Sequence, residues 1–545
     1  MKDCETIEGY QCSLPEQRPA NVFFKGRKEH RFRRQVFVSF AIALGTFVAG
    51  AYPAGATDPS EPLPHIEKPA RPSLKDKKDA PKDKKDAHSE SISSKQPMDS
   101  AARARALDKV YGYKGWNIIF PSFADSLTQD DGYWRTRLAS YGFGFQTQNS
   151  AIFQGNILNT PRSVPSAGFL PCQPANIRYN CAGGRSYAGQ QPLAYISGLG
   201  FLTYDMSQWG VPDGQIAAAG SYQISTDQQF SPTTVRFQGL SWYQTLADKK
   251  FEFQVGYFPS MPEFAGTFVG GLVTSPFGPS ASVPIVLGQS PNSMGTPNFR
   301  ATWNITGELY AQTGIQRSLP VNGPTGNPIY DEVKSNPSGF DFTSSVPGTR
   351  ILYTNELGYK TQAAPGNPFT WLRTGLLYNT STFKDYSRLL TDHTATKDGA
   401  LGFYALGDYQ IWQQDPSSPN TAYRGIYLGG TFMYGPPETT AFTQYYEARA
   451  YWFAPFDSRP RDMFSIIYSH NKVSKNVQSV INNFSEFTNF SAIDSSNSIT
   501  ASYMFNIRPG LYATFGAGYT DKPSLQYFKG EGSSLSLLFS IYAML

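Results

Sequence analysis

Arginine, glutamine, carboxylate and tryptophan side chains recur at alternate positions in stretches that are otherwise apolar or aromatic. They are Arg236, Gln238, Trp242 and Gln244, then Glu252, Arg300, Arg350, Glu356, Arg373, Asp408, Trp412, Glu447 and Arg449. Alternation places such residues on one side of an extended chain. There, guanidinium, carboxylate and amide groups can replace part of the water around a polar solute, and indole rings can receive its C–H faces. Cations and anions in near-equal number suit a neutral solute better than a strong ion filter. Each residue can equally be one half of an internal salt bridge, and the sequence leaves that alternative open.

Bond-making chemistry finds no such support. The chain has 5 His, of which only His393 and His470 follow the first hundred residues, and neither has a G-x-S-x-G or a Ser-His-Asp grouping around it. There is no P-loop or dinucleotide fingerprint. We therefore expect no enzyme, no catalytic residue, no metal site and no cofactor. Cys172 and Cys181 (CQPANIRYNC) lie in a Pro/Asn/Gly-rich stretch with no His or second Cys pair nearby. A disulfide is expected there in preference to zinc, and closing that loop stabilises by about 2–3 kcal/mol in the chain-entropy model.

The elements that must position these residues are strands. The last segment, Leu535–Leu545, puts Leu535, Leu537, Phe539, Ile541, Ala543 and Leu545 on one face, against Ser536, Leu538, Ser540, Tyr542 and Met544 on the other. Val235–Thr245 and Phe251–Tyr257, joined by Leu246–Lys250, read as a hairpin. Ile351–Tyr359 and Leu401–Trp412 repeat the pattern. A soluble sandwich would turn the apolar face to its core, whereas a membrane barrel turns it to lipid and lines its lumen with the polar face. Composition favours the barrel: among 545 residues, charged residues are only 16% and aromatic ones 15%, while the mean hydropathy of −0.38 excludes a bundle of membrane helices. The prediction is an all-β, transmembrane antiparallel β-barrel over 110–545. Sixteen strands are expected, enough to leave an aqueous channel. The stretches Asn156–Tyr187, Gly266–Thr296, Ser318–Ser345 and Val473–Asn497 are expected as extracellular loops or lumen constrictions.

Two regions precede the barrel. In 1–56 a basic cluster (Lys25, Arg27, Lys28, Arg31, Arg33, Arg34) leads into the apolar run Val36–Ala51 and then Ala54-Gly55-Ala56, the layout of a secretory signal peptide cut after Ala56. The apolar run is shorter than the ~20 residues of a spanning helix. Residues 57–109 contain KDKKDA twice, at Lys75–Ala80 and Lys82–Ala87, with almost no large apolar side chain. They are predicted to be a disordered periplasmic linker, a solvated spacer or a tether to a periplasmic or cell-wall partner. From Val110 onward Lys/Arg and Asp/Glu balance, so no nucleic-acid partner is expected.

Several pieces, taken in order, resemble a known family. They are Gly132-Tyr133-Trp134-Arg135, the strand–turn–strand Phe237–Pro259, Asn355-Glu356-Leu357-Gly358-Tyr359, Gly407-Asp408-Tyr409-Gln410, and above all Ala454-Pro455-Phe456-Asp457-Ser458-Arg459-Pro460-Arg461-Asp462 leading into Met463–His470. Together with the terminal strand they resemble the carbohydrate-selective porins of OprB type over Asp131–Leu545. That resemblance implies a sixteen-stranded pore in the bacterial outer membrane, in contact with its lipid bilayer, passing small neutral sugars down a gradient. A general diffusion porin, or a barrel assisting polysaccharide export or envelope assembly, is the alternative.

Overall fold

A computed structural model describes residues 98–115, 122–158, 187–228, 233–267, 282–292, 294–324, 326–483, 490–528 and 532–545. The expected signal peptide, the greater part of the linker and the Cys172–Cys181 pair lie outside the described residues.

Alternating sequence becomes strand after strand. In chain order they are β1 (Phe143–Asn156), β2 (Leu193–Asp205), β3 (Gln215–Ser225), β4 (Thr234–Leu246), β5 (Phe251–Phe258) and β6 (Thr296–Asn304). There follow β7 (Leu309–Arg317), β8 (Ile351–Thr361), β9 (Thr370–Lys384), β10 (Thr396–Gln413), β11 (Gly425–Tyr434) and β12 (Phe442–Phe453). The series ends with β13 (Met463–Val473), β14 (Phe490–Ala492), β15 (Ser495–Arg508), β16 (Leu511–Thr520), β17 (Gln526–Phe528) and β18 (Ser534–Met544). All but β14 and β17, which pair with each other, form one closed antiparallel barrel of 16 strands, with β18 returning to pair with β1. The sixteen expected strands are therefore present. Short turns such as Ala247–Lys250 join strands at one end and long connections at the other, which makes the first end periplasmic.

Burial settles which face is which. Leu240, Val255, Phe299, Leu357, Leu376, Leu428, Ile466 and Ile499 are all exposed, whereas Gln146, Gln254, Asn298, Arg300, Thr354, Ser469 and Ser498 are buried. An apolar exterior around a polar interior is the inverse of a soluble sandwich. It is the solution for a sheet solvated by lipid, since closing the ring leaves no unpaired edge in the hydrocarbon.

Two register shifts move predicted lumen residues to the outside. In β4 the pairing with β3 slips between Ala219 and Gly220, so Gln238 and Gly239 both occupy the inward side and parity reverses below them. Trp242 is consequently exposed on the outer face, and Gln244 pairs across from the outward Phe253, its amide donating to the Pro212 carbonyl at 2.7 Å. In β10 a shift between Gln410 and Trp412 does the same to Trp412, which pairs with Ile426 and meets outward Trp452 edge-on at 6.2 Å. These indoles belong to the aromatic girdle, not the lumen. Arg350 is a third correction: it sits just beyond the end of β8, half exposed, in an ion pair with Asp398 at 3.4 Å on the rim.

The folded part begins earlier than expected. Ser100–Tyr111, which begins inside the predicted linker, is a helix whose Asp99 side chain accepts from the Ala102 amide. Its Ala104 packs on Phe123 and Ala124, which explains why a run with so few large side chains is ordered. A second helix, Trp134–Ser140, precedes the first strand. This base is stapled to the barrel by the Leu127 amide donating to the Met544 carbonyl (2.8 Å), and by Arg135, which donates to the Phe145 and Gln129 carbonyls.

The Ala454–Asp462 motif is the periplasmic turn between β12 and β13. The Ala454 amide donates to the Asp462 carbonyl (2.8 Å). The buried Asp462 carboxylate accepts from the Arg459 guanidinium (2.5 Å), the Tyr503 hydroxyl (2.5 Å) and the Asn506 amide (2.8 Å). Burial works against its charge, but these donors outweigh burial and hold its pKa below the ordinary aspartate value. Arg461 reaches the base at Asp125 (3.3 Å).

Candidate lumen site

The connection between β5 and β6, part of a stretch predicted as extracellular loop or lumen constriction, folds inward in its described parts. Phe264, Val283 and Leu287 pack with Leu352, Leu377 and Tyr404 of the inner wall. Gly314 on β7 makes room for it: a Cβ there would stand 2.6 Å from the Phe264 ring. Polar bonds complete the seat. Asn379 donates to the Leu287 carbonyl (2.7 Å), Gln316 to that of Gly288 (3.1 Å), and Arg373 to those of Phe264 (2.7 Å) and Gly266.

Around this seat the lumen charges have partners, one of them an opposite charge and the others neutral donors, carbonyls or a ring face. Arg300, on β6, is bound to Glu263 of the inward loop. Glu356, on β8, accepts from the Tyr310 hydroxyl (2.9 Å), the Gln312 amide (2.8 Å) and the Tyr404 hydroxyl (2.7 Å). Tyr310 in turn accepts from the Trp371 indole (3.0 Å), whose ring carries Arg373 at 3.7 Å and Lys360 at 4.2 Å.

A second cluster spans β10 and β12. The Arg449 guanidinium binds Asp408 through two nitrogens (2.8 and 2.9 Å) and Glu447 through a third (2.7 Å). Tyr451 donates to Asp408 (3.0 Å) and Tyr445 to Glu447. The third cluster uses the β7–β8 connection, whose helix Pro328–Ser335 brings Glu332 against Arg317 (2.6 and 2.9 Å) and 4.0 Å from Arg236.

Of the residues singled out from sequence, Arg236, Gln238, Glu252, Arg300, Glu356, Arg373, Asp408, Glu447 and Arg449 face inward. Gln238 donates to the Asn292 carbonyl of the inward connection, and Glu252 accepts from Tyr243 and Asn304, both at 2.8 Å. Trp242, Gln244, Trp412 and Arg350 do not. Sequence reasoning missed Glu263 and Glu332, which sit in connections without periodicity. It also missed Tyr310, Gln312 and Trp371, which alternation in β7 and β9 could have placed beside Arg373.

The remaining wall differs in kind. On β13, β15 and β16 many inward residues are short and uncharged, among them Ser465 with Ser502 (2.9 Å) and Ser498 with Thr520 (2.7 Å), while Ile467 packs with Tyr427 and Tyr451. At the periplasmic end of the charged side, a cavity of about 460 Å³ is lined by Glu252, Asn304, Glu308, Lys360, Asn367 and Trp371. Among the described residues no group of carboxylate, His or Cys side chains is arranged to hold a metal ion.

The family described as carbohydrate-selective porin, OprB family, matches residues 208–535. Among solved structures, the high-pH form of Pseudomonas putida OprB shares 14% identity with a TM-score of 0.62, covering 77% of this chain and 98% of that one. The low-pH form of the same protein gives 13% identity, the same coverage and a TM-score of 0.45. No curated protein matches. At such identities the likeness to the high-pH form concerns the fold.

Proposed function

We propose that this chain, which belongs to the carbohydrate-selective porin family, OprB type, lets small neutral carbohydrates diffuse passively across the bacterial outer membrane. The observation that carries this reading is the pairing of lumen charges. Arg300 balances Glu263, while Arg449 between Asp408 and Glu447 leaves one negative charge and Arg317 with Arg236 against Glu332 leaves one positive, so the wall nearly balances as a whole. A pore wall built so offers donors and acceptors without a strong net field. It can exchange hydrogen bonds with a hydrated neutral solute at several weak sites, and it holds neither cations nor anions tightly. In this reading Arg236, Gln238, Glu252, Arg300, Glu356, Arg373, Asp408, Glu447 and Arg449 form the lumen wall, some touching solute and some holding others in place. The inward β5–β6 connection sets the width, and the process has no chemical step.

Liposome swelling with purified protein tests it. Small neutral sugars should swell the vesicles faster than salts of matched size, with the rate falling steeply as saccharide length grows. Equal rates for sugars and ions would leave a general diffusion porin. No permeation by small sugars would sink the reading and favour a role in export or envelope assembly.

A further inference from the structure

The periplasmic half of the lumen holds a segment that is not barrel wall. After the helix Ser100–Tyr111, the chain passes inward through Tyr111–Gly115, where it meets inward-facing residues of β1, β2, β3 and β5. The Thr203 hydroxyl donates to the Tyr111 carbonyl (2.5 Å), and Gln215 brackets the segment, its amide donating to the Gly112 carbonyl (2.8 Å) and its oxygen accepting from the Lys114 amide (2.9 Å). Two glycines are shaped around the passage. A Cβ on Gly144 of β1 would stand 2.3 Å from the Tyr111 carbonyl oxygen, and Gly115, at φ +148°, lies against the Gln254 amide.

Tyr113 reaches furthest. Its ring lies 4.5 Å from that of inward Phe201, and its hydroxyl accepts from Gln254 at 3.4 Å. Gln254 is the register partner of Arg300. Gln254 lies three positions from the start of β5, so at ~3.4 Å per residue Tyr113 meets it roughly 10 Å along the tilted strand from its periplasmic end. It thus shares a level with the Arg300–Glu263 pair that the β5–β6 connection brings down from the other side.

We infer that Tyr111–Gly115 is a second, periplasmic constriction element, and that Tyr113 is a size-determining residue of the pore. Solute passing the inward loop must then clear a tyrosine supplied by the chain ahead of β1. The arm is anchored at both neighbours, by the helix on Phe123 and Ala124 and by Gln215, so it narrows the lumen as a fixed sill.

The inference rests on the channel reading, and single-channel recordings in potassium chloride separate the two. Full-length Tyr113→Ala should conduct more than wild type and admit longer saccharides in the swelling assay, and Tyr113→Trp should conduct less. A Tyr113→Cys variant, recorded while a charged methanethiosulfonate reagent is added, should lose most of its current, with wild type as the control for Cys172 and Cys181. That arm reads barrels already inserted and conducting, so it stands even where another variant fails to assemble. Unchanged current after the thiol has been modified, shown by mass, overturns the inference, as do Ala and Trp variants that assemble and conduct like wild type. A wild-type barrel that carries no current would instead defeat the channel reading itself.

Discussion

Removing the Arg449 guanidinium while keeping its bulk, as in Arg449→Met, should cost the barrel far more than a surface ion pair would. Arg449 makes three charge-assisted bonds of 2.7–2.9 Å to Asp408 and Glu447, and all three side chains are at most 2% exposed. The methionine leaves two carboxylates facing each other's field without their guanidinium, the Tyr445 and Tyr451 hydroxyls still donating to them. Stranding buried charge in this way costs about 3–5 kcal/mol. Adding Asp408→Asn and Glu447→Gln removes the charges and leaves mainly lost hydrogen bonds, at about 0.5–1.5 kcal/mol each. The triple variant should therefore recover part of the loss. Urea unfolding of lipid-inserted protein at neutral pH, scored by the heat-modifiable mobility of the folded barrel, measures both. A single variant within about 1 kcal/mol of wild type would mean that water screens the cluster as it does a surface pair, and the reasoning would fail.

On the lipid side, Leu376→Arg, at a residue 49% exposed in the middle of β9, should cost about 2–4 kcal/mol, while Trp242→Arg near the end of β4 should cost about 0–1. The same unfolding assay compares them, and equal costs would count against the outward placement of both. At the Asp462 turn the carboxylate's pKa is held below its unfolded value of about 3.9. Its contribution is therefore complete above that pH and drains away as pH falls through the lower folded value. Wild type should accordingly lose stability relative to Asp462→Asn only in strong acid; a gap between them that closes between pH 7 and 5 would refute this.

The barrel was legible because lipid and lumen impose a period of two on every strand. Leu535–Leu545 and the Val235–Tyr257 hairpin both form where alternation placed them. The same rule failed at Trp242 and Trp412, since a bulge adds one residue and reverses parity without any local mark in the composition. Glu263 and Glu332 escaped because side chains in connections obey no period, and only tertiary packing brings them to Arg300 and Arg317. The helix Ser100–Tyr111 was read as linker because its stability comes from Phe123 and Ala124 outside it and not from its own apolar content.

The seam between β1 and β18 has a kinetic side. Asn156 and Leu535, which it joins, lie 379 positions apart. Closing a loop of that length costs about 4 kcal/mol more chain entropy than closing a four-residue hairpin. The seam is thus the last bond the ring should make. Until it forms, the growing sheet carries two raw edges open to pairing with any other chain. The base staple from Leu127 to Met544 bridges the same two ends of the chain. A folding experiment that follows this staple would report when the two ends of the chain meet.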